Sequence, residues 1–75
     1  MELNPKISIT ETLKQVQGQK VNIEVYLRGG QSFTGKVLDV ADHYAIVGHL
    51  VGKDFFDAQI RIEDIAAVSL QTRTK

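Results

Sequence analysis

The sequence predicts a mainly β domain in which one N-terminal α-helix precedes a strongly bent, five-stranded antiparallel barrel. Three observations point there. Apolar residues keep a helical spacing only near the N-terminus, at Ile9, Leu13 and Val16. From Lys20 onward they alternate with polar residues, which is the period of a half-buried strand. Glycines stand where that alternation turns or bends, at Gly29-Gly30, Gly35 and Gly52. The chain reads as a single domain over 1–75, with the helix at about 8–17 and the barrel at about 20–72.

The helix has its own start and stop. Ser8 can cap it while Glu11 reaches back in a capping box, and Gly18 can end it. Ile9, Leu13 and Val16 then form one apolar stripe. An extended form of Ile7 to Ile9 is the alternative.

The strands follow in order. Val21, Ile23, Val25 and Leu27 alternate with Asn22, Glu24, Tyr26 and Arg28 in the first. Gly29-Gly30 supplies a tight turn where positive φ is cheap. The second strand runs from about Gln31 to Ala41 with Phe33, Gly35 and Val37 on one face, and Gly35 marks the barrel corner because no side chain resists a bend there. Asp42-His43 connects to a third strand from Tyr44 to about Val51. After a hairpin turn at Gly52-Lys53-Asp54, a fourth strand is expected from Phe55 to Ile62, with Phe56, Ala58, Ile60 and Ile62 sharing a face. Glu63-Asp64 break the alternation as one 3₁₀ turn before a last strand through Ala67, Val68 and Leu70. The polar residues from Gln71 to Lys75 are expected to fray.

Composition narrows the function classes. A domain of 75 residues has a thin stability margin, and with no cysteine for a disulfide, self-association is the expected supplement. Nine lysines and arginines balance nine aspartates and glutamates, so the strong basic excess of many nucleic-acid binders is missing. A ring of identical subunits would still repeat any local basic feature once per subunit. The N-terminus shows no apolar core of signal-peptide type, and no segment approaches the roughly 20 apolar residues of a membrane span. A cytoplasmic protein without membrane partners is the expectation.

Catalysis is not expected, and neither is a cofactor. No Ser-His-Asp spacing stands out, and Gly29-Gly30 lies in a hairpin instead of opening a helix as a phosphate cradle would. Paired carboxylates for acid–base work need a pocket that so small a barrel hardly provides. Asp54, Asp57 and His49 offer metal-ligating atoms, but positions 54 and 57 of a strand face opposite sides.

The run Val21-x-Ile23-x-Val25-x-Leu27-Arg28-Gly29-Gly30-x-x-Phe33-x-Gly35-x-Val37 resembles the first signature of the Sm, LSm and Hfq proteins. Ile60-Arg61-Ile62-Glu63-Asp64-Ile65 is similar to the second, and with the helix the resemblance covers about residues 8–70. It implies an Sm-like (SH3-like) barrel that assembles into a homo-oligomeric ring, the fourth strand of one subunit pairing with the fifth of the next. It also implies binding of short single-stranded RNA near the central opening. His43 stands at the family's stacking position, Tyr44 lies beside it and Arg61 comes from the second motif, while exposed lysines such as Lys6 or Lys36 would attract phosphate. Elsewhere the letters depart from the family: Ala41 replaces an aspartate, Ala45 the asparagine of the Sm branch, and Ile62-Glu63 the Lys-His pair of the Hfq branch. Asp42 keeps a carboxylate one residue later.

Plainer readings stay open beside these. His43 can be a solvated turn residue, Arg61 can pair with Glu63 or Asp57, and Phe55 can lie inside a monomeric barrel whose edges the helix covers. The alternative function is a ring-forming scaffold or protein-interaction module without a nucleotide pocket.

Overall fold

The computed structural model describes residues 3–71. Helix α1 spans Ile9–Val16, and Ser8 caps it from extended backbone, its hydroxyl oxygen accepting the Glu11 N–H at 3.2 Å. Leu13 and Val16 are fully buried and Ile9 packs partly against them, so the predicted stripe is the inward face. Thr12 is buried with them, its hydroxyl donating to the Ser8 carbonyl. Gly18 leaves the helix at φ +78°, and its N–H donates to the Val37 carbonyl at 3.3 Å. That bond docks the helix end onto the sheet.

The strands are β1 (Ile23–Leu27), β2 (Ser32–Val40), β3 (Tyr44–Gly48), β4 (Ala58–Arg61) and β5 (Ile65–Leu70), with a 3₁₀ turn, η1, at Ile62–Asp64. They form one antiparallel sheet in the order β4-β3-β2-β1-β5. Buried side chains from all five strands meet Leu13 and Val16 in a single core, so the sheet wraps around it. The expected helix followed by five antiparallel strands is found, with the bent sheet not closed into a barrel: β4 and β5 are its two edges and do not pair with each other. Among the described residues, no helix is long and apolar enough to cross a membrane.

Gly35 sits where β2 changes partners. Ser32 to Gly35 pair with β1, whereas Lys36 to Val40 pair with β3. A Cβ at Gly35 would lie 2.5 Å from the Gly48 carbonyl oxygen and 3.0 Å from Val47 Cγ1. The missing side chain is therefore what lets β3 approach. Just beyond, a bulge at Leu38 shifts the register and leaves that leucine 41% exposed.

Two expected boundaries move. Val21 lies outside β1 and is exposed, because Ile23 is the first residue with partners on both sides, Gly35 on β2 and Leu70 on β5. The larger correction concerns the fourth strand, which starts at Ala58 instead of Phe55. The β3–β4 ladder ends at Val47–Ala58, and the intervening chain closes two turns, Lys53 N–H to the Leu50 carbonyl and Phe56 N–H to the Lys53 carbonyl. Phe55 and Phe56 are consequently neither in a strand nor inside the domain.

Candidate functional site

The three residues singled out from the sequence lie together at one end of the sheet. Tyr44 opens β3 and Arg61 closes β4, and the two are direct cross-strand partners. Their neighbours Ala45 and Ile60 point into the core, so alternation sends the Tyr44 and Arg61 side chains to the outer face. Residues opposed in this way hold their Cβ atoms about 5 Å apart. The phenol ring and the guanidinium therefore share one exposed patch.

His43 occupies the β2–β3 loop beside them. The Tyr44 carbonyl accepts the Ala41 N–H at 2.8 Å, closing the loop, and the His43 carbonyl accepts the Ile62 N–H at 2.8 Å. The second bond ties the loop to η1. At the far end of η1 the Asp64 carbonyl accepts the Arg28 N–H at 2.9 Å, which brings in the β1–β2 hairpin. Backbone bonds thus hold three connections in fixed relation, and Arg28 and Arg61 flank η1. Glu63 and Asp64 between them are exposed, as is Asp42 in the loop, so carboxylates alternate with the cations.

Sequence reasoning placed two features differently. Lys36 pairs with Gly48 at the opposite end of β3 from Tyr44, and its ammonium donates to Asn22 Oδ1 at 3.1 Å. Four residues of strand separate the two ends, roughly 13 Å. Lys36 belongs instead to a groove of about 400 Å³ that it lines with Gly18, Lys20, Val37, Leu38 and His49. The reading of Asp54 and Asp57 as strand residues on opposite faces also fails, because that stretch is turn. Both aspartates line one open groove with His49, yet no group of three ligating residues among the described residues could hold a metal ion.

Phe55 and Phe56 are the exposed feature that sequence alternation hid. A pattern read as a strand assigns one of two adjacent residues to the core, whereas here both are at the surface. The usable signal was Gly52-Lys53-Asp54, whose turn extends further than its letters imply.

No family model matches the chain, and no curated protein matches it in sequence. The geometry itself supports non-covalent recognition: a phenol, an imidazole and a guanidinium at neighbouring positions on a rigid sheet end. Flat and cationic groups so arranged can stack on a planar ligand and hydrogen-bond its edge.

Proposed function

We propose that this protein is a non-catalytic, Sm-like, single-stranded RNA-binding protein that works as a homo-oligomeric ring in the cytoplasm. The observation carrying the RNA reading is the pairing of Tyr44 with Arg61, with the His43 loop tied to η1 by the Ile62–His43 bond. In this reading His43 and Arg61 contact or stack on bases and Tyr44 supports the loop. Arg28, at the other end of η1, is placed to meet phosphate. The ring reading is supported by the two unpaired sheet edges, β4 and β5, which demand partners. Antiparallel pairing of β4 with β5 of the next copy supplies one with main-chain hydrogen bonds.

The test is salt-dependent binding to oligo(U) and oligo(A), read by fluorescence anisotropy alongside sedimentation. Binding that weakens with salt is expected, with a log–log slope of about 0.7 per phosphate neutralised. Changing His43 and Arg61 to alanine is expected to weaken binding without dissociating the oligomer. An intact oligomer that binds neither oligonucleotide at low salt refutes the RNA reading.

A second reading, a ring-forming scaffold without a nucleotide pocket, has its own support. Ala45 is buried, so the position of the family's asparagine offers nothing to a base here. Asp42, Glu63 and Asp64 crowd the patch with negative charge. The same binding experiment separates the two.

A further inference from the structure

Two aromatic side chains stand free in the turn between β3 and β4. Phe55 is fully exposed and Phe56 is 62% exposed. Phe55 also holds φ +68°, a region that bulky residues avoid, and no burial of its ring offsets the strain within the chain. Neighbouring apolar side chains that the fold leaves unburied mark a contact surface. The two rings line an open groove of about 570 Å³ together with His49, Leu50, Asp54 and Asp57. Gly48 makes room for one of its carboxylates, since Asp57 Oδ1 lies 2.7 Å from where a Cβ at that glycine would stand.

Charge selects the occupant. Among the described residues, no side-chain hydrogen bond or ion pair occupies Asp54 or Asp57. Lys53, next to Asp54 in the chain, is engaged elsewhere, with its ammonium 5.8 Å from the centroid of the Phe33 ring. The groove therefore presents aromatic faces and unneutralised carboxylates together, which suits a cation with a flat or apolar body. A quaternary ammonium would satisfy the rings but bring no N–H for the carboxylates. A guanidinium does both, stacking through its plane and donating in the plane to carboxylate oxygens. Free arginine would also bring an α-carboxylate that the two aspartates repel, whereas an arginine within a peptide has none.

We propose that the groove formed by Asp54, Phe55, Phe56 and Asp57 is a docking site for an arginine-bearing segment of another protein. One guanidinium lies against the phenyl rings and donates to the aspartates, and the apolar stem of the side chain covers the rest of the ring surface. The four residues precede β4 and lie outside its ladder, so the site rests on neither the ring nor the RNA reading. It gives the exposed rings a partner whose charge the groove itself specifies.

The test is fluorescence anisotropy at low salt with a labelled, end-blocked Gly-Ser-Arg-Gly-Arg-Gly-Ser peptide and three matched peptides carrying lysine, citrulline or glutamate in place of arginine. The arginine peptide is expected to bind, the lysine peptide more weakly, and the citrulline and glutamate peptides not at all. Asp54→Asn with Asp57→Asn is expected to weaken binding at least about fivefold. Phe55→Ala with Phe56→Ala is expected to weaken it at least about threefold. Glu11→Gln with Glu63→Gln removes two exposed carboxylates elsewhere and is expected to change it less than twofold, which separates the groove from net charge. Circular dichroism and sedimentation of every variant check fold and oligomeric state. An arginine peptide that fails to bind, or binds no better than citrulline, overturns the proposal, as does equal loss in the Glu11, Glu63 variant. If the phenylalanine variant dissociates an oligomer and leaves arginine binding unchanged, the rings are covered by a second copy and the proposal is likewise overturned.

Discussion

Replacing Gly35 by alanine probes the contact on which the path of the sheet depends. The added carbon would stand 2.5 Å from the Gly48 carbonyl oxygen, 3.0 Å from Val47 Cγ1 and 3.2 Å from Leu50 Cδ2. A carbon needs roughly 3.3 Å from a carbonyl oxygen, so β3 must withdraw by about 0.8 Å. The obstructing oxygen belongs to the backbone of Gly48, which its pairing with Lys36 holds against β2, and it cannot rotate away as a side chain would, which places the cost near the upper end of the 1–3 kcal/mol range for overpacking, about 3 kcal/mol. Alanine recovers about 0.5–1 kcal/mol of chain entropy relative to glycine in a strand. The net loss is therefore about 2 kcal/mol, against a total of about 4–11 kcal/mol for a chain of this length. In a domain of this size that lowers the melting temperature by about 8–16 °C. Urea denaturation followed by circular dichroism, at one protomer concentration so that self-association does not intrude, measures it. Gly30→Ala is the control: nothing lies within 4 Å of its Cβ, but φ is +95°, and a loss of about 1 kcal/mol comes from backbone strain alone. A Gly35→Ala variant that loses less than about 0.5 kcal/mol, or less than the control, refutes the close-approach account.

Leu13→Ala empties the most buried position of α1 and is expected to cost about 3 kcal/mol by urea denaturation, with an unchanged m-value. Ser8→Ala removes the acceptor for the Glu11 N–H and is expected to cost about 1 kcal/mol, whereas Ser8→Asp keeps an acceptor and most of the stability. The Tyr26 phenol is held above its ordinary value by the hydrogen bond it donates to the Glu24 carboxylate, with a contact from Ser69 acting in the opposite direction. Its folded-state contribution is accordingly present below the unfolded pKa near 10 and fades as pH rises through the raised value. Ultraviolet titration of the phenolate is expected to show that rise, and Glu24→Gln to reduce it; an unchanged midpoint in the variant assigns the shift elsewhere.

Where local chemistry set the outcome, the sequence was a sufficient guide. Ser8 offers the only hydroxyl immediately ahead of the Ile9, Leu13, Val16 stripe, and the helix begins there. Ile23, Val25 and Leu27 alternate because one sheet face meets the core, and Gly29-Gly30 turns the chain between two partners already adjacent in sequence. Those interactions span few residues, so composition and period encode them directly. Phe55-Phe56 shows the opposite case. Alternation extended the fourth strand over both, but a strand lasts only as long as its ladder, and β3 offers no partner beyond Val47.

The candidate site divides along the same line. His43, Tyr44 and Arg61 are identifiable in the sequence as flat or cationic residues at the edges of strands. Their convergence is a matter of register: Tyr44 opposite Arg61, and the His43 carbonyl bonded to the Ile62 N–H. A slip by one residue would have turned Tyr44 toward the core and Ala45 outward.

By itself, then, the sequence determined the helix, its cap and buried stripe, the periodic strands, and the glycines at which the chain turns, because each depends on neighbours within a few residues. The tertiary structure alone decided that the sheet stays open with β4 and β5 at its edges, that Gly35 lies against the Gly48 carbonyl, and that Lys36 sits at the opposite end of β3 from the Tyr44–Arg61 patch. Those outcomes depend on pairing between distant segments, where the register is chosen by how much of the whole core can be buried at once.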